Sequence, residues 1–77
     1  MIDANDKKDL LQMWREHYAK KSTSALIRWV RIHARSYKYK PTHREAIALE
    51  ALAGMICARD QNLADVVLNL LPTQDLH

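Results

Sequence analysis

Apolar residues recur at helical spacing along most of the chain, in four segments separated by short polar breaks. The breaks fall near residues 21–24, 39–42 and 60–62, and Pro72 follows the last apolar segment. The chain has one glycine and two prolines, and it contains no Asn-Gly or Asp-Gly pair of the kind that favours a β-hairpin. The pattern predicts an all-α fold, a compact four-helix single domain that covers residues 1–77.

The periodicity places the four helices at about residues 6–20, 25–38, 43–59 and 63–71. Asp3, Asn5 or Asp6 is suited to cap the first helix, because acids favour the positive end of the helix dipole. Its apolar stripe consists of Leu10, Leu11, Trp14, His17 and Tyr18, with Met13 at the margin. Asn62 is the expected cap of the fourth helix, which should end at Pro72.

The third predicted helix is apolar on nearly all sides, and Glu50 is the only strongly polar residue away from its ends. A helix of this kind is normally surrounded by others, so we expect it at the centre of the bundle. Thr42 and Glu45 match a capping box, in which the Glu45 side chain reaches back towards Thr42. Gly54 costs about 1 kcal/mol in a helix relative to alanine, which predicts a tight helix crossing there.

The second predicted helix has two chemically different sides. At 100° per residue, Val30, His33 and Tyr37 fall within about 40° of Leu26, with Trp29 and Ala34 beside them. Four cations fall at about 120–200° from Leu26 and define what we call the basic face: Arg28, Arg31, Arg35 and Lys38. Ile32 and Tyr39 fall beside the basic face, at about 220–240°.

Charge is strongly segregated along the chain, although the net charge is only +3. No acid occurs between His17 and Arg44, and this window contains eight cations: Lys20, Lys21, Arg28, Arg31, Arg35, Lys38, Lys40 and Arg44. Clustered cations at helical spacing are typical of surfaces that meet phosphates. The leading hypothesis is a small non-enzymatic regulatory protein that binds nucleic acid through the basic face. The other four cations would assist.

A second hypothesis uses the same surface differently. The chain would be a protein-interaction module, an adaptor or inhibitor that docks its basic face on an acidic surface of a larger protein. Ile32 and Tyr39 would then supply apolar anchors. A third version is a homodimer, in which the acidic C-terminal half of one chain meets the basic middle of another. A helix-turn-helix is disfavoured, because the connection is short and lacks the usual turn glycine.

The sequence gives little support for a catalytic activity or for a bound metal or cofactor. Cys57 lies in the most apolar helix and is expected to be buried and inert. The histidines show no metal-ligand spacing, and His17 and His33 are expected to be core or boundary residues. No secretion signal or membrane-spanning run is apparent, and a single cysteine fits a reducing compartment. We therefore expect a cytoplasmic protein that is not an enzyme and needs no cofactor.

Overall fold

The computed structural model describes residues 4–71, and for residues 4 and 5 it describes the backbone alone. Four α-helices and one 3₁₀ turn make up this part of the chain, and it contains no strand. The elements in order are α1 (Ala4–Tyr18), α2 (Thr23–Tyr39), α3 (His43–Arg59), the 3₁₀ turn (Gln61–Leu63) and α4 (Ala64–Leu70). The all-α, four-helix prediction is therefore confirmed. Helix α1 begins at Ala4, so Asn5 and Asp6 lie inside it and do not cap it, which corrects two of the three expected caps. Asp3, the third candidate, and Pro72, the expected last stop, lie outside the described residues.

Helix α3 is the centre of the bundle, as its apolar sequence predicts. It contacts α1, α2, the 3₁₀ turn and α4. Six of its residues are buried: Ile47, Ala48, Leu49, Ala51, Leu52 and Ile56. They face the other helices together with Tyr18, Leu26, Val30 and Val67. Burying a large aliphatic or aromatic side chain contributes about 1.5–3 kcal/mol, so this shared core supplies the main driving force for folding.

Side-chain caps fix where α2, α3 and the 3₁₀ turn begin. The Ser22 hydroxyl accepts the Ala25 amide at 3.1 Å, so α2 begins two residues earlier than predicted. The Thr42 hydroxyl accepts the Glu45 amide at 3.2 Å, and α3 has the expected bounds. The fourth cap was wrongly assigned to Asn62. The Asp60 carboxylate instead accepts the Asn62 amide at 3.0 Å and starts the 3₁₀ turn, and α4 follows without a side-chain cap.

Helix α1 ends at Tyr18 rather than Lys20, and a distant residue holds its end. The Lys21 amide donates to the Tyr18 carbonyl at 3.0 Å, which tightens the last turn. The Arg59 guanidinium, at the end of α3, donates to the Lys21 carbonyl at 2.6 Å and to the Ala19 carbonyl at 3.1 Å. The two contacts join the end of α3 to the connection between α1 and α2.

The predicted tight crossing at Gly54 is wrong. Gly54 is exposed, and a Cβ atom placed on it would have no neighbouring atom within 4 Å. It lies one turn after the exposed Glu50, on the side of α3 that faces solvent. Glu50 itself pairs with Lys7 of α1 at 3.4 Å, and both side chains are about half exposed. An exposed pair of this kind contributes little to stability.

Two further expectations about burial need correction. Cys57 is half-buried rather than enclosed, because it lies between the buried and exposed sides of α3. His17 is exposed although it belongs to the predicted apolar stripe of α1, and its ring packs edge-on against Tyr18 at 4.7 Å between centroids. Met13, at the margin of the stripe, is 38% exposed. Tyr18 alone of the stripe is fully buried, so α1 covers α3 mainly with its C-terminal half.

Replacing Gly54 with alanine should raise the free energy of unfolding by about 0.5–1 kcal/mol, because alanine has the higher helix propensity and the added methyl group meets no neighbour. Urea denaturation followed by circular dichroism measures the change. Ala58→Gly, at an exposed position of the same helix, is the matched control and should lower stability. A stability loss in Gly54→Ala would contradict the open surroundings of this position.

Candidate nucleic-acid interface on helix α2

The inner side of α2 is formed by the residues that the helical periodicity assigns to it. Leu26, Val30, His33 and Ala34 are buried, and the rings of Trp29 and Tyr37 are half-buried against the same core. The two sides of the helix are thereby distinguished by burial as well as by sequence. With the inner side occupied, the opposite side of α2 must face solvent.

All four residues of the basic face are exposed. Within residues 6–71, Arg28, Arg31, Arg35 and Lys38 make no ion pair or hydrogen bond through their side chains. The span from Arg28 to Lys38 is about 15 Å at 1.5 Å per residue, which is long enough to meet more than one phosphate of a nucleic-acid strand. The basic face is therefore a continuous, solvent-facing set of cations.

The main rival interpretation is that carboxylates of the protein itself neutralise the basic face. The candidates are the acids of α3, of the 3₁₀ turn and of α4. Glu45 binds the His33 ring instead, and Glu50 pairs with Lys7 of α1. Asp60 caps the 3₁₀ turn. Asp65 is exposed and pairs with no cation of the basic face. These four carboxylates leave the basic face unpaired.

The four assisting cations are also exposed, but they lie at different places. Lys20 and Lys21 lie in the connection before α2, and Lys40 is the residue that ends α2. Arg44, in the first turn of α3, lies over the Trp14 ring at 5.6 Å from its centroid, in a cation–π contact. The structure thus extends positive charge beyond both ends of the basic face.

Ile32 and Tyr39 add apolar surface beside these charges. Ile32 is 44% exposed and Tyr39 is 92% exposed, although both are large hydrophobic residues on a helix whose other side is buried. The helical spacing places them next to Arg28 and Arg35. Charge and apolar surface therefore occur together on the outer side of α2, which suits contact with a ligand that has both charged and apolar parts.

A buried hydrogen-bonded network connects the inner side of α2 to two other helices. The Tyr18 hydroxyl of α1 lies 2.9 Å from His33 Nε2, and His33 Nδ1 lies 2.5 Å from a carboxylate oxygen of Glu45 on α3. A carboxylate only accepts, so Nδ1–H donates to Glu45, and in the neutral imidazole Nε2 accepts the Tyr18 hydroxyl proton. Tyr18 and His33 are 2% and 8% exposed, so they hold the helices together and do not meet a ligand.

This network was not expected from the sequence, where Glu45 was assigned to a capping box and His33 was treated as a lone core histidine. The cap half of the box is present, but the Glu45 side chain turns to His33 rather than back to Thr42. The partners of His33 lie 15 and 12 residues away along the chain. No spacing rule connects residues that far apart, so the sequence carries no local signal for the contact.

Aromatic rings enclose the network. Trp14 stacks on Tyr18 with ring centroids 5.8 Å apart, and it meets His33 edge-on at 5.2 Å. Trp29 lies 6.0 Å from His33 on the other side. The Trp14 indole nitrogen is buried and has no hydrogen-bond partner among the described residues. Such packing shields the hydrogen bond between Tyr18 and His33 from water, whereas the Glu45 side chain is 26% exposed.

Burial raises the pKa of the Tyr18 hydroxyl above its ordinary value of 10.0, and the negative charge of Glu45 raises it further. The folded chain therefore keeps a proton that the unfolded chain releases near pH 10. The stability linked to Tyr18 is complete below that pH and is lost as the pH rises through the raised pKa.

Within residues 4–71, no group of three or more histidine, cysteine, aspartate or glutamate residues is placed to hold a metal ion. None of the described helices combines the length and the apolar character needed to cross a membrane. The outer side of α2 is therefore the surface on which a functional argument can be built.

Tyr18→Phe should lower the free energy of unfolding near neutral pH by about 1–3 kcal/mol, because His33 Nε2 loses its partner inside the core. Above about pH 10 the gap between wild type and variant should narrow, since only the wild type loses the stability linked to Tyr18. Urea denaturation between about pH 7 and pH 11 measures both effects. Tyr39→Phe, at an exposed ring, should follow the wild type. A gap that stays constant with pH would contradict the raised pKa.

Comparison with known proteins gives no match from which a function could be carried over. No protein-family model matches the chain, and no curated protein or solved structure matches it either.

Proposed function

We propose that this protein binds nucleic acid, without catalysing a reaction on it, through the basic face of α2. The observation that carries the proposal is the exposure of Arg28, Arg31, Arg35 and Lys38 without any internal carboxylate partner in residues 6–71. Cations that lack an internal partner keep their attraction for an external anion. Nucleic acid presents the regular line of phosphates that a helical row of cations can follow.

The rigidity of α2 supports the same proposal. Its inner side is buried against α3 and α4, and His33 is hydrogen-bonded to both α1 and α3. The backbone that carries the four cations is therefore fixed before a ligand arrives. Binding then orders only the flexible side chains, which reduces its entropic cost.

Binding to duplex DNA should weaken steeply with salt. If about five cations contact phosphates, the slope of log affinity against log salt concentration should be near −4 to −5. The double variant Arg31→Glu/Arg35→Glu should bind at least about tenfold more weakly at about 50 mM salt, and its slope should be smaller by about 2. Fluorescence anisotropy with a labelled oligonucleotide measures both quantities.

The matched control is Lys8→Glu/Arg15→Glu, which changes the net charge by the same amount at exposed positions of α1. It should lose much less affinity than the α2 variant, because its charges lie outside the basic face. Equal binding by wild type and Arg31→Glu/Arg35→Glu would overturn the proposal. Equal losses of DNA affinity in both double variants would show that binding depends on net charge alone and not on the basic face.

The exposure of Ile32 and Tyr39 favours a second candidate function, docking on an acidic surface of another protein. Exposed apolar side chains ringed by charge are typical of protein interfaces. Affinity capture from lysate with and without nuclease separates the two functions. Partners retained after nuclease treatment, and lost with Ile32→Asp, would support the second function. Loss of all partners after nuclease treatment would support the first.

A further inference from the structure

An open groove of about 250 Å³ lies where α2 ends and α3 begins. Tyr37, Pro41, Thr42, His43 and Ala46 line it. Its lining residues offer one aromatic ring, a proline ring, a hydroxyl group and an imidazole, and none is an acid. Ligand pockets for drug-sized molecules usually enclose about 300–1,000 Å³, so this groove suits a single planar ring system better than a larger compound.

Tyr37 is the aromatic residue of the groove. It packs against the hydrophobic core, lines the groove and is half-buried. A ring that the core already restrains loses little freedom when a ligand stacks on it. Aromatic rings held in this way bind the flat faces of nucleobases, at about 1–3 kcal/mol per base.

The charges around the groove match an anionic ligand. Lys38 and Lys40 come directly after Tyr37 and directly before Pro41, and Arg44 follows His43. All three cations are exposed, and none makes an ion pair with the residues that the structure describes. Tyr37 belongs to the inner side of α2 and Lys38 to the basic face, so the groove lies beside the C-terminal end of that face, around the helix from it. The start of α3 adds the positive end of a helix dipole.

We propose that this groove receives one unpaired base of a single-stranded nucleic acid, stacked on the Tyr37 ring. Lys38 and Lys40 hold the flanking phosphates, and the rest of the strand follows the basic face. Bases in a duplex stack on one another, so their faces are not available to a protein ring unless the strand is unpaired. The inference rests on the nucleic-acid function proposed above and adds a preference for single strands.

Fluorescence anisotropy with a labelled single strand of about 12 nucleotides, and with the same sequence as a duplex, tests the preference. Wild type should bind the single strand more tightly than the duplex at equal salt. Tyr37→Leu keeps an apolar side chain against the core but removes the aromatic face. It should lower single-strand affinity between about fivefold and 150-fold and leave the salt slope and the duplex affinity unchanged.

Tyr37→Phe is the matched control, because it keeps the ring and loses only the hydroxyl group. It should bind the single strand within about twofold of wild type. Circular dichroism checks that both variants are folded. Amide spectra recorded during titration with the unlabelled strand provide a second measurement, in which Thr42, His43 and Ala46 should shift with wild type and shift less with Tyr37→Leu.

The outcomes separate this inference from the function on which it rests. Binding of both strand forms, lost in Arg31→Glu/Arg35→Glu but unchanged in Tyr37→Leu, would overturn the groove proposal and keep the proposed function. Equal losses of single-strand and duplex binding in a folded Tyr37→Leu variant would also overturn it. Absence of binding to either form by wild type would overturn both proposals.

Discussion

The hydrogen-bonded network of Tyr18, His33 and Glu45 is the constraint on which the arrangement of the helices depends. It takes one residue from each of α1, α2 and α3. A buried polar group that loses its partner costs about 1–3 kcal/mol, a large part of the net stability of a chain this small. The three helices are therefore restricted to mutual rotations that keep His33 bonded at both ring nitrogens. Any large rotation of α2 would break the network and also bury charged residues of the basic face.

The outward direction of the basic face is thus a consequence of what α2 buries. The network has a second effect, because it directs the Glu45 carboxylate inward, away from the cations of α2. Glu50 and Asp60 are similarly engaged, with Lys7 and with the Asn62 amide. Within residues 6–71, no carboxylate pairs with the cations of the basic face, so their charge is open to solvent. The contacts of these carboxylates therefore affect the charge of the surface, because a carboxylate held by another partner does not neutralise the cations of α2.

The basic face and the groove lie next to each other near the C-terminal end of α2. The basic face supplies charge along the middle of α2, and the groove at Tyr37 supplies a planar contact where α2 meets α3. The core supports both, since α2 packs on α3 and Tyr37 packs against the buried cluster. If both proposals hold, this surface would combine phosphate contacts, which depend on salt, with stacking, which does not. The salt dependence of binding therefore distinguishes the two contributions.

The sequence by itself determined the fold class, the central position of α3 and the two sides of α2. These features follow from apolar periodicity and from caps such as Thr42, which act over three or four residues. Only the tertiary structure decided the partners of His33 and Glu45, the contact of Arg59 with the end of α1, and the open surroundings of Gly54. It also decided that the basic face has no carboxylate partner within residues 6–71. The physical reason is distance along the chain. The contacts of His33, Glu45 and Arg59 join residues of different elements, and the surroundings of Gly54 and of the basic face depend on how the helices pack.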